Sequence, residues 1–473
     1  MTQDSWINRN VARLLPRSFK DSTPAADSAR PPAADKKAAP AKEVSTAARR
    51  NVARTTRERL QGTLRQGDEA VSPRVLRRIL QELQAVIDER VSEVEGGRCA
   101  AALMAWYAGA TPARRLDLWL LMSEMFVADP VKVQAAQAKF AAALGTPDEA
   151  AAEVHYRRAT VSPRRRLLQR FSADATGIRF LVNLRAEMQS AVKTDKRLQA
   201  LDVEMEYMFS TWFDVGFLEL RRISWDSPAS LVEKLIKYEA VHDIRSWDDV
   251  KNRLDSDRRC YGFFHPRLPG EPLIFVEVAL INEIAASITP LLDEAAAPVD
   301  LDRATTAIFY SISNTQTGLR GVSFGDSLIK RVVESLHEEF PRLKTFATLS
   351  PIPGLRAWLT KNAPADLLQI WEAMPELAEK SPPRMALKQW AARYLAQEVQ
   401  EGKPLDAVAR FHLGNGARVE QLNWAADPSP KGFKQSYGLM VNYLYDLKKL
   451  DKNRAALAQG KIPIAPAIKD LLP

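Results

Sequence analysis

The chain has 473 residues, 46% of them apolar and 26% charged, with a formal net charge of +9. At about 100–200 residues per domain, this length predicts two to four domains with their own cores and excludes wholesale disorder. Its two cysteines, Cys99 and Cys260, are too few for a disulfide framework or a four-ligand zinc site, and they fit a reducing compartment. The positive excess suits a polyanionic partner: nucleic acid, a membrane surface or a phosphorylated small molecule.

Residues 22–48 are rich in Ala, Pro, Lys and Asp with few large apolar side chains. They predict a disordered basic arm over residues 1–51. Residues 52–210 read as an all-helical bundle. Val75, Leu76, Ile79, Leu80, Leu83 and Val86 recur at helical spacing, and residues 116–126 are more apolar than one surface helix requires. Pro112, Pro130, Pro147 and Pro163 each follow a Thr, Asp or Ser, as at the start of a helix.

Beyond Trp212 the texture changes. Residues 213–225, 273–280, 306–313 and 343–349 are rich in β-branched or aromatic residues and read as strands. An amphipathic helix over 326–340 separates the last two, which predicts an α/β second domain over 211–473. The segment 273–292 carries Glu277 and Glu283 and reads as a strand running into a helix, not as a membrane span. Residues 364–397 read as helical. A hairpin turning at Asn415–Gly416 and a final helix over 433–450 complete the expected order. The expected fold class is thus α+β multidomain, a helical bundle followed by an α/β domain with a mixed sheet. The N-terminus has no apolar secretory core and the last residues are not Ser-Lys-Leu, so the cytoplasm is the expected location.

Three places carry candidate chemistry. Residues 315–326 (TQTGLRGVSFGD) hold three glycines between a strand and a helix, where backbone N–H groups and the helix start can meet phosphate. The spacing is neither G-x-G-x-x-G nor Walker A. A pyrophosphate cradle of the coenzyme A kind and a ligand-free glycine turn both remain open on this pattern. Among five histidines, His155 and His337 read as exposed, His242 and His265 as loop residues, and His412 as a strand-end residue beside a tight turn. Strand ends gather sites on such scaffolds, although a hydrogen-bonded structural histidine fits equally. No histidine has metal-ligand spacing with Cys or a carboxylate, so no metal is expected. Ser350, between Leu349 and Pro351, sits at a rigid strand terminus outside any G-x-S-x-G elbow; a turn role and a catalytic role both fit. Tyr437, Tyr443 and Tyr445 are assigned to the final helix, at least one of them in the core.

Residues 307–321 (AIFYSISNTQTGLRG), 328–333 (LIKRVV), 349–354 (LSPIPG), 411–416 (FHLGNG) and 438–443 (GLMVNY), with 269–273 (PGEPL) before them, resemble the malonyl-CoA decarboxylase family. The resemblance spans about 212–447 in the family's order, and the helical region resembles its N-terminal oligomerisation domain in kind and size. It implies a catalytic domain of the GNAT acetyltransferase type, with Ser350 and His412 as the catalytic pair and Tyr445 as a family tyrosine near the site. It also implies a malonyl-CoA-binding loop of Arg320, Gly321, Val322, Ser323, Phe324, Gly325 and Asp326. Ser323 stands where some members carry glutamate, so no carboxylate role is expected there. The implied reaction gives acetyl-CoA and CO2 with no cofactor beyond the substrate's own coenzyme A; an acyl-CoA-dependent acyltransferase is the alternative. The resemblance further implies a homo-oligomer, a tetramer or dimer of dimers. The arginine cluster at 157–170 lacks interleaved aromatics, so no nucleic acid partner is expected, and no membrane partner either.

Overall fold

The computed structural model describes residues 54–67, 69–322, 328–372 and 381–472. The expected arm over 1–51 and part of the glycine loop lie outside them. The chain forms two compact units. One ends at Gly177 and also takes in Thr194–Leu201; the other comprises Ile178–Lys193 and Asp202–Pro473. The helix Gly177–Val192 therefore counts almost wholly with the second unit, although it lies inside the region read as bundle.

The first unit is helical. Its helices Pro73–Ile87, Pro112–Glu124, Pro130–Ala143 and Pro163–Ala173 each place proline in the first turn. Ser72, Thr111, Asp129 and Ser162 precede them, and each side chain accepts a backbone N–H of that turn. This is the cap-plus-proline start that the sequence carries at Pro112, Pro130 and Pro163. Pro147 instead lies just before its helix, Glu149–Thr160. Leu76, Ile79, Leu83 and Val86 bury one face of the helix Pro73–Ile87. Leu118, Leu120, Leu121 and Met122 are also buried. The surplus apolar run over 116–126 is largely consumed by the core of this unit, so it leaves no reason of its own for an oligomer interface.

The second unit carries an eight-stranded sheet in the order β1-β2-β3-β4-β5-β10-β6, with β9 paired to β10. The strands are β1 Glu219–Ile223, β2 Arg258–Phe264, β3 Pro272–Ile281, β4 Thr306–Asn314, β5 Thr345–Thr348, β6 Ser350–Pro351, β9 Arg418–Asn423 and β10 Met440–Leu444. Among the strands named here only β4 and β5 pair in parallel, joined through the helix Leu328–Glu339, which buries Leu328, Ile329, Val332, Val333 and Leu336. That crossover makes the sheet mixed, as expected. A separate small sheet pairs β7 Val399–Gln400 with β8 Lys403–Pro404.

Three local expectations fail for identifiable reasons. The tight hairpin turn lies at Glu401–Gly402, where φ is 52° and 74°, and not at Asn415–Gly416. The final helix does not run from 433 to 450. The helix Pro430–Ser436 ends at Tyr437 and Gly438, both left-handed, and the chain continues as β10. After β3 only a short 3-10 turn, Thr289–Leu291, forms where a helix was expected.

Candidate active site

Ser350, His412 and Tyr445 meet in the second unit. Ser350 opens β6 and pairs in register with Val441 of β10. Tyr445 directly follows β10, its backbone N–H donating to the Phe346 carbonyl. His412 arrives differently from expectation: it lies on the helix Ala407–Gly414, not at a strand end. Asp406 caps that helix by accepting from the N–H groups of Val408 and Ala409, while Asn415 and Gly416 end it. Asn415–Gly416 is thus a helix stop, with Gly416 at φ 88°.

The side chains form one hydrogen-bonded line. Ser350 Oγ lies 3.3 Å from His412 Nε2, and His412 Nδ1 lies 2.7 Å from the Tyr445 hydroxyl. Ser350 also donates to Thr348 Oγ1 at 2.8 Å. All four residues are buried. The His412 ring stacks on Tyr443 with centroids 4.7 Å apart and planes 25° apart, which fixes its orientation. Burial draws His412 down to about 3, so the imidazole is neutral at pH 7. Burial likewise raises the Tyr445 phenol, which keeps its hydrogen.

Thr348 and Asn442 were missed at the sequence level. Asn442 Nδ2 donates to the Thr348 carbonyl at 2.6 Å, and Asn423 Nδ2 donates to Asn442 Oδ1 at 2.6 Å. Both asparagines are buried, so these bonds hold the strand ends that carry the site. The available signal was alternation: Thr348 and Ser350 share one face of an extended segment, with Leu349 turned into the opposite apolar cluster.

The described part of the glycine loop is built by packing. A Cβ on Gly318 would stand 1.9 Å from the Val182 carbonyl oxygen, so only glycine fits there. Gly321 has φ 84°. Buried Arg185 donates to the carbonyls of Gly318 and Arg320 at 2.9 and 2.8 Å and pairs with Asp202 and Glu206. Arg320 and Gly321 are exposed and Val322 is buried; Ser323, Phe324, Gly325 and Asp326 lie outside the described residues.

A pocket lined by Lys330, Val333, Asn415, Leu450 and Arg454 reaches Tyr445. Asn415 Oδ1 in it is buried without a hydrogen-bond partner. Lys330 is exposed, whereas Arg331 donates to the carbonyls of Val215 and Leu218. Among the described residues no cluster of three His, Cys, Asp or Glu side chains is placed to hold a metal ion.

The family model for the malonyl-CoA decarboxylase C-terminal domain matches residues 216–473, and that for the N-terminal domain matches 126–213. The mitochondrial malonyl-CoA decarboxylase of Anser anser anser is 34% identical over 441 residues, covering 84% of this chain and 87% of that protein. Its Rattus norvegicus counterpart is 34% identical over 434 residues, covering 82% and 87%. The crystal structure of malonyl-CoA decarboxylase from Rhodopseudomonas palustris matches with a TM-score of 0.76 at 40% identity, covering 84% of this chain and 99% of that one. The chain accordingly belongs to the malonyl-CoA decarboxylase family.

Proposed function

We propose that this protein decarboxylates malonyl-CoA to acetyl-CoA and CO2, with no cofactor beyond the coenzyme A of its substrate. The observation that carries the reading is the buried line Ser350–His412–Tyr445, in a chain of this family. Loss of CO2 leaves a thioester enolate, so the thioester is itself the electron sink. A site for this reaction must stabilise the enolate oxygen and then deliver a hydrogen to carbon 2. In this reading, backbone N–H groups near the strand ends hold the enolate oxygen, and Ser350 orients the departing carboxylate. The Ser350–His412 pair then supplies the hydrogen. His412 acts as a neutral imidazole and not as an imidazolium, since burial takes away the charged form.

The pocket beside Tyr445 suits the coenzyme arm. Lys330 and Arg454 supply positive charge for phosphate, and Asn415 Oδ1 supplies an acceptor for an amide N–H of the arm. The glycine loop from Arg320 to Asp326 is assigned to the same ligand. Incubation of the purified chain with malonyl-CoA alone tests the reading. Acetyl-CoA and CO2 in equal amounts support it, and product that forms only with an added amine acceptor supports acyl transfer instead.

A homo-oligomer, a tetramer or dimer of dimers, belongs to the same proposal. The helices Pro130–Ala143 and Glu149–Thr160 expose Val131 and Val154, with Leu144 exposed between them. Light scattering showing a monomer at micromolar concentration would remove it. A cytoplasmic location is proposed as well, to be tested by cell fractionation.

A further inference from the structure

The line of hydrogen bonds has a direction, and Thr348 is the residue from which it can be read. Thr348 Oγ1 accepts the backbone N–H of Tyr443 at 3.1 Å and the Ser350 hydroxyl at 2.8 Å. Its carbonyl accepts from Asn442, and the residue is fully buried, so side chain and main chain are both fixed. Ser350 has one hydroxyl hydrogen, which goes to Thr348. Ser350 Oγ therefore meets His412 Nε2 as an acceptor, and Nε2 must carry the ring's hydrogen. A neutral ring carries only one, so Nδ1 is bare and accepts the Tyr445 O–H. The opposite arrangement, with Ser350 donating to Nε2, is the one that makes a serine nucleophilic. It would leave Thr348 Oγ1 without the Ser350 donor.

We propose that Thr348 is a positioning residue that sets the polarity of this site, holding Ser350 and His412 as a hydrogen-donating pair rather than a nucleophile and its base. The proposal rests on the decarboxylase reading and specifies how the same residues avoid acyl transfer. When carbon 2 of the enolate takes the Ser350 hydrogen, released from its bond to Thr348 Oγ1, the alkoxide left behind accepts the Nε2–H bond and regains a hydrogen from water as the products leave. The ring keeps its Nε2–H tautomer and Tyr445 keeps its hydrogen, so the site is restored for the next turnover. The bond formed is C–H; the negative charge of the enolate ends as hydroxide, which combines with the released CO2 as bicarbonate. The serine makes no bond to the acyl carbon.

The test is 15N NMR of the full chain labelled at histidine, with His412→Gln identifying the His412 ring. The wild type is expected in the Nε2–H tautomer at pH 7. Thr348→Val keeps the shape but frees the Ser350 hydrogen, and is expected to shift the ring toward Nδ1–H. It should lower kcat about tenfold with little change in KM. Thr348→Ser is expected to restore both the tautomer and most of kcat. An Nδ1–H tautomer in the wild type overturns the proposal whether or not malonyl-CoA is turned over, and needs no variant to fold. An unchanged tautomer and kcat in Thr348→Val would overturn it equally. Lack of turnover in a wild type that shows Nε2–H would instead count against the decarboxylase reading alone.

Discussion

Ser350 Oγ and His412 Nε2 lie 3.3 Å apart although 62 residues separate them in the chain, one on a strand end and the other on a helix. The contact depends on two local devices: the interruption of the strand at Leu349 and the Asp406 cap that starts the His412 helix. Removing either partner should abolish the chemistry without unfolding the chain. Ser350→Ala and His412→Ala are each expected to lower kcat by about 100-fold or more, and Tyr445→Phe by about tenfold. Steady-state kinetics with circular dichroism as the folding control measures both.

The protonation state of His412 sets the pH behaviour. Its folded-state value of about 3 lies below the ordinary 6.5, so between these pH values the unfolded chain binds more protons than the folded one. The stability that comes from burying a neutral His412 is present above about pH 6.5 and is lost as pH falls toward 3. Denaturant midpoints of the wild type should therefore fall on acidification more steeply than those of His412→Gln. The kcat/KM profile should show no limb near 6.5 arising from this residue, and such a limb, absent in His412→Gln, would contradict the neutral-imidazole assignment.

Lys330 and Arg331 are neighbours with opposite expected phenotypes. Lys330 faces the pocket beside Tyr445, so Lys330→Ala should raise KM for malonyl-CoA several-fold and leave thermal stability unchanged. Arg331 is tied to the carbonyls of Val215 and Leu218. Arg331→Ala should lower the melting temperature, with a smaller change in KM. The two measurements together separate ligand binding from scaffold.

Glycine 318 is set by a close approach of backbone to backbone. Gly318→Ala forces a Cβ against the Val182 carbonyl and should cost about 1–3 kcal/mol. Equilibrium unfolding measures this directly; a neutral effect would mean that the helix Gly177–Val192 yields easily.

The order of helices then strands was legible from periodicity, as was the helix Leu328–Glu339 between two strands; that those strands pair in parallel was not. The three side chains that meet were also named from the chain, through the resemblance of residues 349–354 and 411–416 to one family. Their supporting elements were not. Helical spacing around Phe433 masked the stop at Gly438, although Tyr443 and Tyr445 repeat at the period of two that a strand requires. Asn415–Gly416 fits a hairpin turn and a helix end alike, and only the Asp406 cap eight residues upstream of Gly414 decides between them. Thr348 carried no recognisable motif; its importance arises from contacts with Tyr443 and Ser350 that exist only in the folded sheet.

The most direct measurement is the stoichiometry of products from malonyl-CoA with no acyl acceptor present, compared between the wild type and His412→Ala. One acetyl-CoA and one CO2 per malonyl-CoA in the wild type, nearly abolished in a folded His412→Ala, is expected. Turnover that requires an acceptor, or that persists undiminished without His412, would contradict decarboxylation at this site.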